Sequence, residues 1–209
     1  MQTRRLGWVA IFALAMAYAE AAVVVYLRRI YGITDLVRDV AAYDPALAAV
    51  EAGREAATLV MLVAAGLAAG RTRQARLGFA LFAFGLWDIL YYAWLRVLIG
   101  WPRTLLDQDI LFLIPLPWWG PVLAPVLIAL LAAAGGALAV VHDDRERVLR
   151  PGPAGWCALL AGMLAALYAF MADALRSHPV GLRLMSRIRP KQVFESSEVD
   201  ARPFIAATE

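Results

Sequence analysis

The amino-acid sequence predicts an all-α fold, a polytopic transmembrane helix bundle of about five spans plus a short interfacial or re-entrant segment. Three observations predict it. Hydrophobic residues make up 62% of the 209, against about 45–50% in soluble domains, and a chain this small cannot hide the excess from water. Mean hydropathy is +0.65. Charged residues, 18% of the chain, cluster between five apolar runs, and each run can cross roughly 30 Å of hydrocarbon as a helix of about 20 residues.

The first run covers residues 6–27. Its Arg4-Arg5 start and Ala17-Tyr18-Ala19 also fit a cleavable leader, but the apolar stretch continues through Val25 and Leu27. That outlasts the roughly 7–15 residues of a leader's apolar region, so a retained helix is expected. The second run covers 51–70 and contains Gly66 and Gly70 at the spacing of a close helix-packing face. The third covers 77–100, the fourth 119–141 and the fifth 154–175. Together they form one transmembrane domain, residues 1–175. Residues 176–209 are polar and broken by Pro179, Pro190 and Pro203, which predicts a disordered tail.

Between the third and fourth runs, Trp101-Pro102, Asp107-Gln108-Asp109, Ile110 to Ile114, Pro115, Pro117 and Trp118-Trp119 make an irregular stretch. The apolar part is too short to span, and the prolines interrupt a helix. Two readings stand: an interfacial helix at the headgroup level, where tryptophan is favoured, or a re-entrant segment lining a cavity.

The net charge of +3 rests on arginine, since Lys191 is the only lysine. These arginines border apolar runs, where topology signals belong, so nucleic acid is not expected as a partner. Arg4, Arg5, Arg71, Arg73, Arg76, Arg145, Arg147 and Arg150 share one side, which the positive-inside rule makes cytoplasmic. Arg28, Arg29 and Arg38, and the tail from Arg176 to Lys191, fall on the other side and oppose this orientation. Cys157 has no partner for an intrachain disulfide and is expected to be buried.

Ionisable residues inside membrane helices are costly and gather inward. The candidates here are Glu20, Arg54, Glu55, Asp88, Tyr92, Arg96 and Asp109. Runs one and three end where run two begins, so these residues fall in one half of the bilayer or at its rim. With the amino terminus inside, that half faces the periplasm. Glu51, Glu55 and Thr58 form one helical stripe, and Asp88, Tyr92 and Arg96 another. Three roles remain open. The first is an ion-pair network that fixes helix register. The second is a site for a cation, proton or small amphiphile, bound or transported, which needs a second copy or a partner membrane subunit. The third is a carboxylate-based enzyme with a hard ion such as Mg²⁺. His142 and His178 lie outside the spans and emerge on opposite sides, which argues against a zinc, copper or haem centre. No cofactor is otherwise specified, and no metal ligand is assigned.

The pattern Trp87-Asp88, Tyr91-Tyr92, Gly100-Trp101-Pro102, Asp109 to Pro115, Pro117-Trp118 and Gly120 to Pro125, with Arg54 to Thr58, resembles a block in a family of bacterial multi-pass inner-membrane proteins. The resemblance covers roughly residues 6–141. It implies a bacterial inner-membrane location, with the lipid bilayer as partner, and no assigned activity.

Overall fold

The computed structural model of the chain describes residues 2–30, 32, 45–114, 118–143 and 152–185. Five helices are long and apolar enough to cross a membrane. They are α1 (Gln2–Ile30), α2 (Pro45–Ala69), α3 (Arg73–Ile99), α4 (Leu123–Val141) and α5 (Pro153–Met185). Two short strands, β1 (Gln108–Phe112) and β2 (Trp118–Pro121), lie between α3 and α4. The chain divides into a unit of Met1–Ala172 and a second of Asp173–Glu209.

α1 is one continuous helix with an apolar stripe along one face. Val9, Ala13, Met16, Ala17, Ala21 and Val25 are buried, at the three- and four-residue steps of one helical face. That face packs on α3, which also donates the Trp94 indole N–H to the Leu14 carbonyl at 3.3 Å. α3 carries its own stop signals. Thr72 accepts from the Ala75 amide at its start, and Gly100 adopts the left-handed conformation at its end, with φ 70°.

Small residues set the helix spacing. A methyl added at Gly66 would lie 2.6 Å from Ala80 Cα, and one at Gly85 would lie 2.6 Å from the Ala133 amide nitrogen. The Gly66 face of α2 is therefore filled by α3 of the same chain, an intramolecular use of the G-x-x-x-G spacing. α3 touches α1, α2 and α4 and forms the centre of the bundle.

One end of the bundle gathers the start of α1, the end of α2, the start of α3 and the end of α4. Arg5 donates to the Ala69 carbonyl at 2.9 Å, Gln74 to the Ala139 carbonyl at 3.0 Å, and Thr72 to Asp143. The opposite end holds the candidate polar residues. Arg38, Arg145, Arg147, Arg150, Pro115, Pro117 and the tail beyond Met185 lie outside the described residues.

Three expectations are corrected. β1 (Gln108–Phe112) and β2 (Trp118–Pro121) pair as antiparallel strands, where one reading expects an interfacial helix, with Asp109 opposite Gly120 and Ile110 opposite Trp119. Trp119 therefore sits in β2, and α4 begins at Leu123. Pairing two strands satisfies backbone polar groups in a stretch whose prolines oppose a continuous helix. Cys157 is exposed on α5 rather than buried, because every residue from 152 to 165 is exposed and this part of α5 has no packed face. The fifth helix also continues past residue 175 to Met185.

Candidate functional site

A cavity of about 200 Å³ opens among α1, α2, α3 and β1. Six of the seven candidate residues, Glu20, Arg54, Glu55, Asp88, Tyr92 and Asp109, line it.

Arg54 is the hub of the α1–α2 wall. Its guanidinium pairs with the Glu20 carboxylate across the two helices and with Glu51 at 2.8 Å, one turn earlier on α2. The Thr58 hydroxyl donates to the other Glu20 oxygen at 3.1 Å. Glu51, Arg54, Glu55 and Thr58 occupy adjacent turns, so one stripe of α2 carries both the cation and its carboxylates.

Glu55 meets the hairpin. Its carboxylate accepts the Leu113 backbone N–H at 2.9 Å. Leu113 lies just past β1, where the ladder ends, and its amide would otherwise have no acceptor in an apolar setting. Glu55 is ten residues into α2, about 15 Å along its axis. Residues 109–113, in β1 and just past it, therefore form one wall of the cavity.

Asp109 projects from β1 and is only 4% exposed. It accepts from the Tyr92 hydroxyl at 3.1 Å and lies 3.9 Å from the Arg28 guanidinium. Burial pushes its carboxyl up to about 6, while Arg28, the Tyr92 hydrogen bond and the Ile110 amide pull the other way. Arg28 itself stacks 4.1 Å over the Trp101 ring, a cation–π contact.

Asp88 differs from the other carboxylates. It is 7% exposed and lines the cavity, yet no hydrogen-bond or ion-pair partner holds it among the described residues. Trp87, Tyr91, Tyr92 and Phe112 supply aromatic wall around it, with Trp87 stacked on Tyr91 at 6.3 Å.

Arg96 is the candidate that the structure places elsewhere. It is exposed and donates to the carbonyls of Gly100 at 2.7 Å and Pro102 at 3.1 Å. A long cationic side chain near a helix end favours the exposed carbonyls there over a buried carboxylate. Arg28 takes its place in the cavity. Glu20, Val24 and Arg28 are spaced four apart and all line the cavity, so the periodicity held the signal. Glu51 and Tyr91 also line the cavity.

The cavity thus carries five carboxyl groups, Glu20, Glu51, Glu55, Asp88 and Asp109, against two guanidinium groups, Arg28 and Arg54. Among the described residues, no three His, Cys, Asp or Glu side chains converge to hold a metal ion. His142 lies at the other end of the bundle, against its own helix carbonyl at Leu138. Asp107 stays outside the cavity, where the Thr104 hydroxyl and the Arg103 amide hold its carboxyl below the usual aspartate range.

No protein-family model, curated protein or solved structure matches the chain.

Proposed function

We propose that this chain is a bacterial inner-membrane protein whose cavity, in the periplasmic half of the bilayer, binds a small cation. The observation that carries the proposal is Asp88, a buried carboxylate that lines a cavity and has no hydrogen-bond or ion-pair partner among the described residues. Buried charges in membrane helices are paired or functional. The neighbouring acids are engaged by Arg54, Arg28 or the hairpin backbone, whereas Asp88 is left for a ligand. The excess of carboxyl over guanidinium groups gives the cavity a field that favours positive charge.

The bacterial inner-membrane location rests on the Trp-Asp and Gly-Trp-Pro block. The periplasmic side rests on the arginines at the Arg5, Arg71 and Arg73 end, opposite the cavity.

A second reading has its own observation. Arg54 joins Glu20 on α1 to Glu51 on α2, which is the geometry of a brace that fixes helix register. The two readings are compatible, because the brace uses one wall and leaves Asp88 free.

The test is ligand-linked thermal stability of the purified protein in lipid nanodiscs. A ligand bound only by the folded state raises stability with its concentration, by about 2.7 kcal/mol at a hundred times Kd. The wild-type protein should be stabilised by at least one cation from a panel of alkali, divalent and organic ammonium ions, and Asp88→Asn should lose that response. An identical response in Asp88→Asn, or no response to any cation, refutes the proposal.

A further inference from the structure

The chemistry of the cavity narrows the cation further, on the premise that the site binds one. We infer that the ligand is an alkylated organic ammonium, held by Asp88 and a wall of aromatic rings. Four observations converge on this class.

The first is the arrangement of the carboxylates. Hard metal ions take six or more oxygen ligands; Ca²⁺ draws most of them from protein, and Mg²⁺ keeps several as water around one or two carboxylates. Here no three acidic side chains converge among the described residues. Glu20 and Glu51 face Arg54, Asp109 faces Arg28 and Tyr92, and Glu55 holds the Leu113 amide. Asp88 offers a single open carboxylate. One carboxylate balances the charge of an ammonium, but it does not chelate a metal.

The second is the rest of the lining. Trp87, Tyr91, Tyr92 and Phe112 share the cavity with Val24 and Leu27. Aromatic faces attract cations, and the attraction grows when the cation is desolvated. A primary ammonium brings three N–H donors that each need an acceptor, whereas the wall beside Asp88 is largely aromatic and aliphatic. An N-alkylated ammonium replaces those donors with methyl or methylene groups, which suit apolar and aromatic walls.

The third is size. A protein cavity of about 150 Å³ holds benzene, and this one measures about 200 Å³. That admits an organic cation of a few carbon atoms, whereas a bare ion would leave most of the space to water.

The fourth is that the same region already holds a cation in this manner. The Arg28 guanidinium lies over the Trp101 indole with Asp109 beside it, so carboxylate plus aromatic ring is the local solution for positive charge.

The experiment is calorimetric titration of the protein in nanodiscs with choline, tetramethylammonium, sodium, magnesium and the uncharged isostere 3,3-dimethyl-1-butanol. Choline and tetramethylammonium should bind, with the isostere at least about tenfold weaker. Asp88→Asn should weaken choline about tenfold or more, and Trp87→Leu about three- to tenfold, within the span of desolvated cation–π contacts. The comparison of choline with its isostere uses the wild-type protein and stands even if a variant fails to fold. Binding of sodium or magnesium without the ammonium ions overturns the ligand class and leaves a cation site intact. Equal binding of choline and the isostere overturns both the class and the cation site. An unchanged choline affinity in folded Trp87→Leu overturns the aromatic wall and with it the inference.

Discussion

Arg54→Met tests the α1–α2 wall most directly. The wild-type guanidinium serves Glu20 on one helix and Glu51 on the other, with side-chain exposures of 23%, 12% and 14%. Methionine keeps the length and apolar bulk of the stem and deletes the charge. Glu20 then retains only the Thr58 hydroxyl, and Glu51 loses its hydrogen-bonding partner. Breaking a fully buried pair costs about 3–5 kcal/mol. Polar contacts between membrane helices average only about 0.6 kcal/mol in double-mutant cycles, with a maximum near 1.7. Partial exposure to the cavity places this site between those limits, at about 2 kcal/mol. Pairing the change with Glu20→Gln removes one stranded charge, and replacing both partners of an ion pair is often close to neutral. The double variant should recover roughly half of the loss. Reversible unfolding in mixed micelles, titrated with a denaturing detergent, reads both values. A single variant within about 0.3 kcal/mol of wild type, or a double variant worse than the single, would refute the brace.

Three further outcomes follow from packing and charge. Gly85→Leu should destabilise by about 3 kcal/mol or more, since its Cβ would meet the Ala133 backbone; Gly135→Leu, with open space around it, is the matched control, and equal effects in the same unfolding assay would contradict the packing. Glu55→Ala should speed amide exchange at Leu113 by roughly tenfold or more, because a hydrogen bond to a charged group contributes about 1.5–3 kcal/mol; unchanged exchange by mass spectrometry would detach Glu55 from the hairpin. Asp109 should give a pH signature. Its carboxyl, raised to about 6 in the fold from about 3.9 in an unfolded chain, contributes stability that is complete below about pH 4 and lost as pH rises through about 6. Asp109→Asn should flatten the stability profile across that window, and parallel profiles for the two proteins would show that Asp109 does not titrate there.

The spans were legible because hydrocarbon demands long apolar runs, and little else produces them. α3 was among the clearest, its run of 77–100 ending at the Gly100 cap, although the helix starts one turn earlier behind Thr72. The polar stripes were legible too, since helical spacing puts Glu55 near Thr58 and Asp88 near Tyr92 whatever the neighbours are. The second cavity arginine was less legible, because only the spacing from Glu20 favoured Arg28 over Arg96. Arg28 and Arg96 each stand near a helix end on the same side, and the sequence gives no distance from either to Asp109. Arg28 lies in register with Glu20, while Arg96 has the carbonyls of Gly100 and Pro102 closer at hand. The hairpin was illegible for another reason. Its strands have five and four residues, too few to show an alternating pattern, and its pairing shifts register between Ile110 and Phe112. A single residue near a proline does not announce such a bulge.

The glycines of α3 and α4 bear on the cavity indirectly. Gly78, Gly85 and Gly136 press the two backbones together along much of their length, whereas α4 supplies none of the cavity lining. α3 supplies Trp87, Asp88, Tyr91 and Tyr92 to it. A bulkier residue in the α3–α4 seam would therefore displace the helix that carries four lining side chains, and would alter the cavity from a position that never touches it.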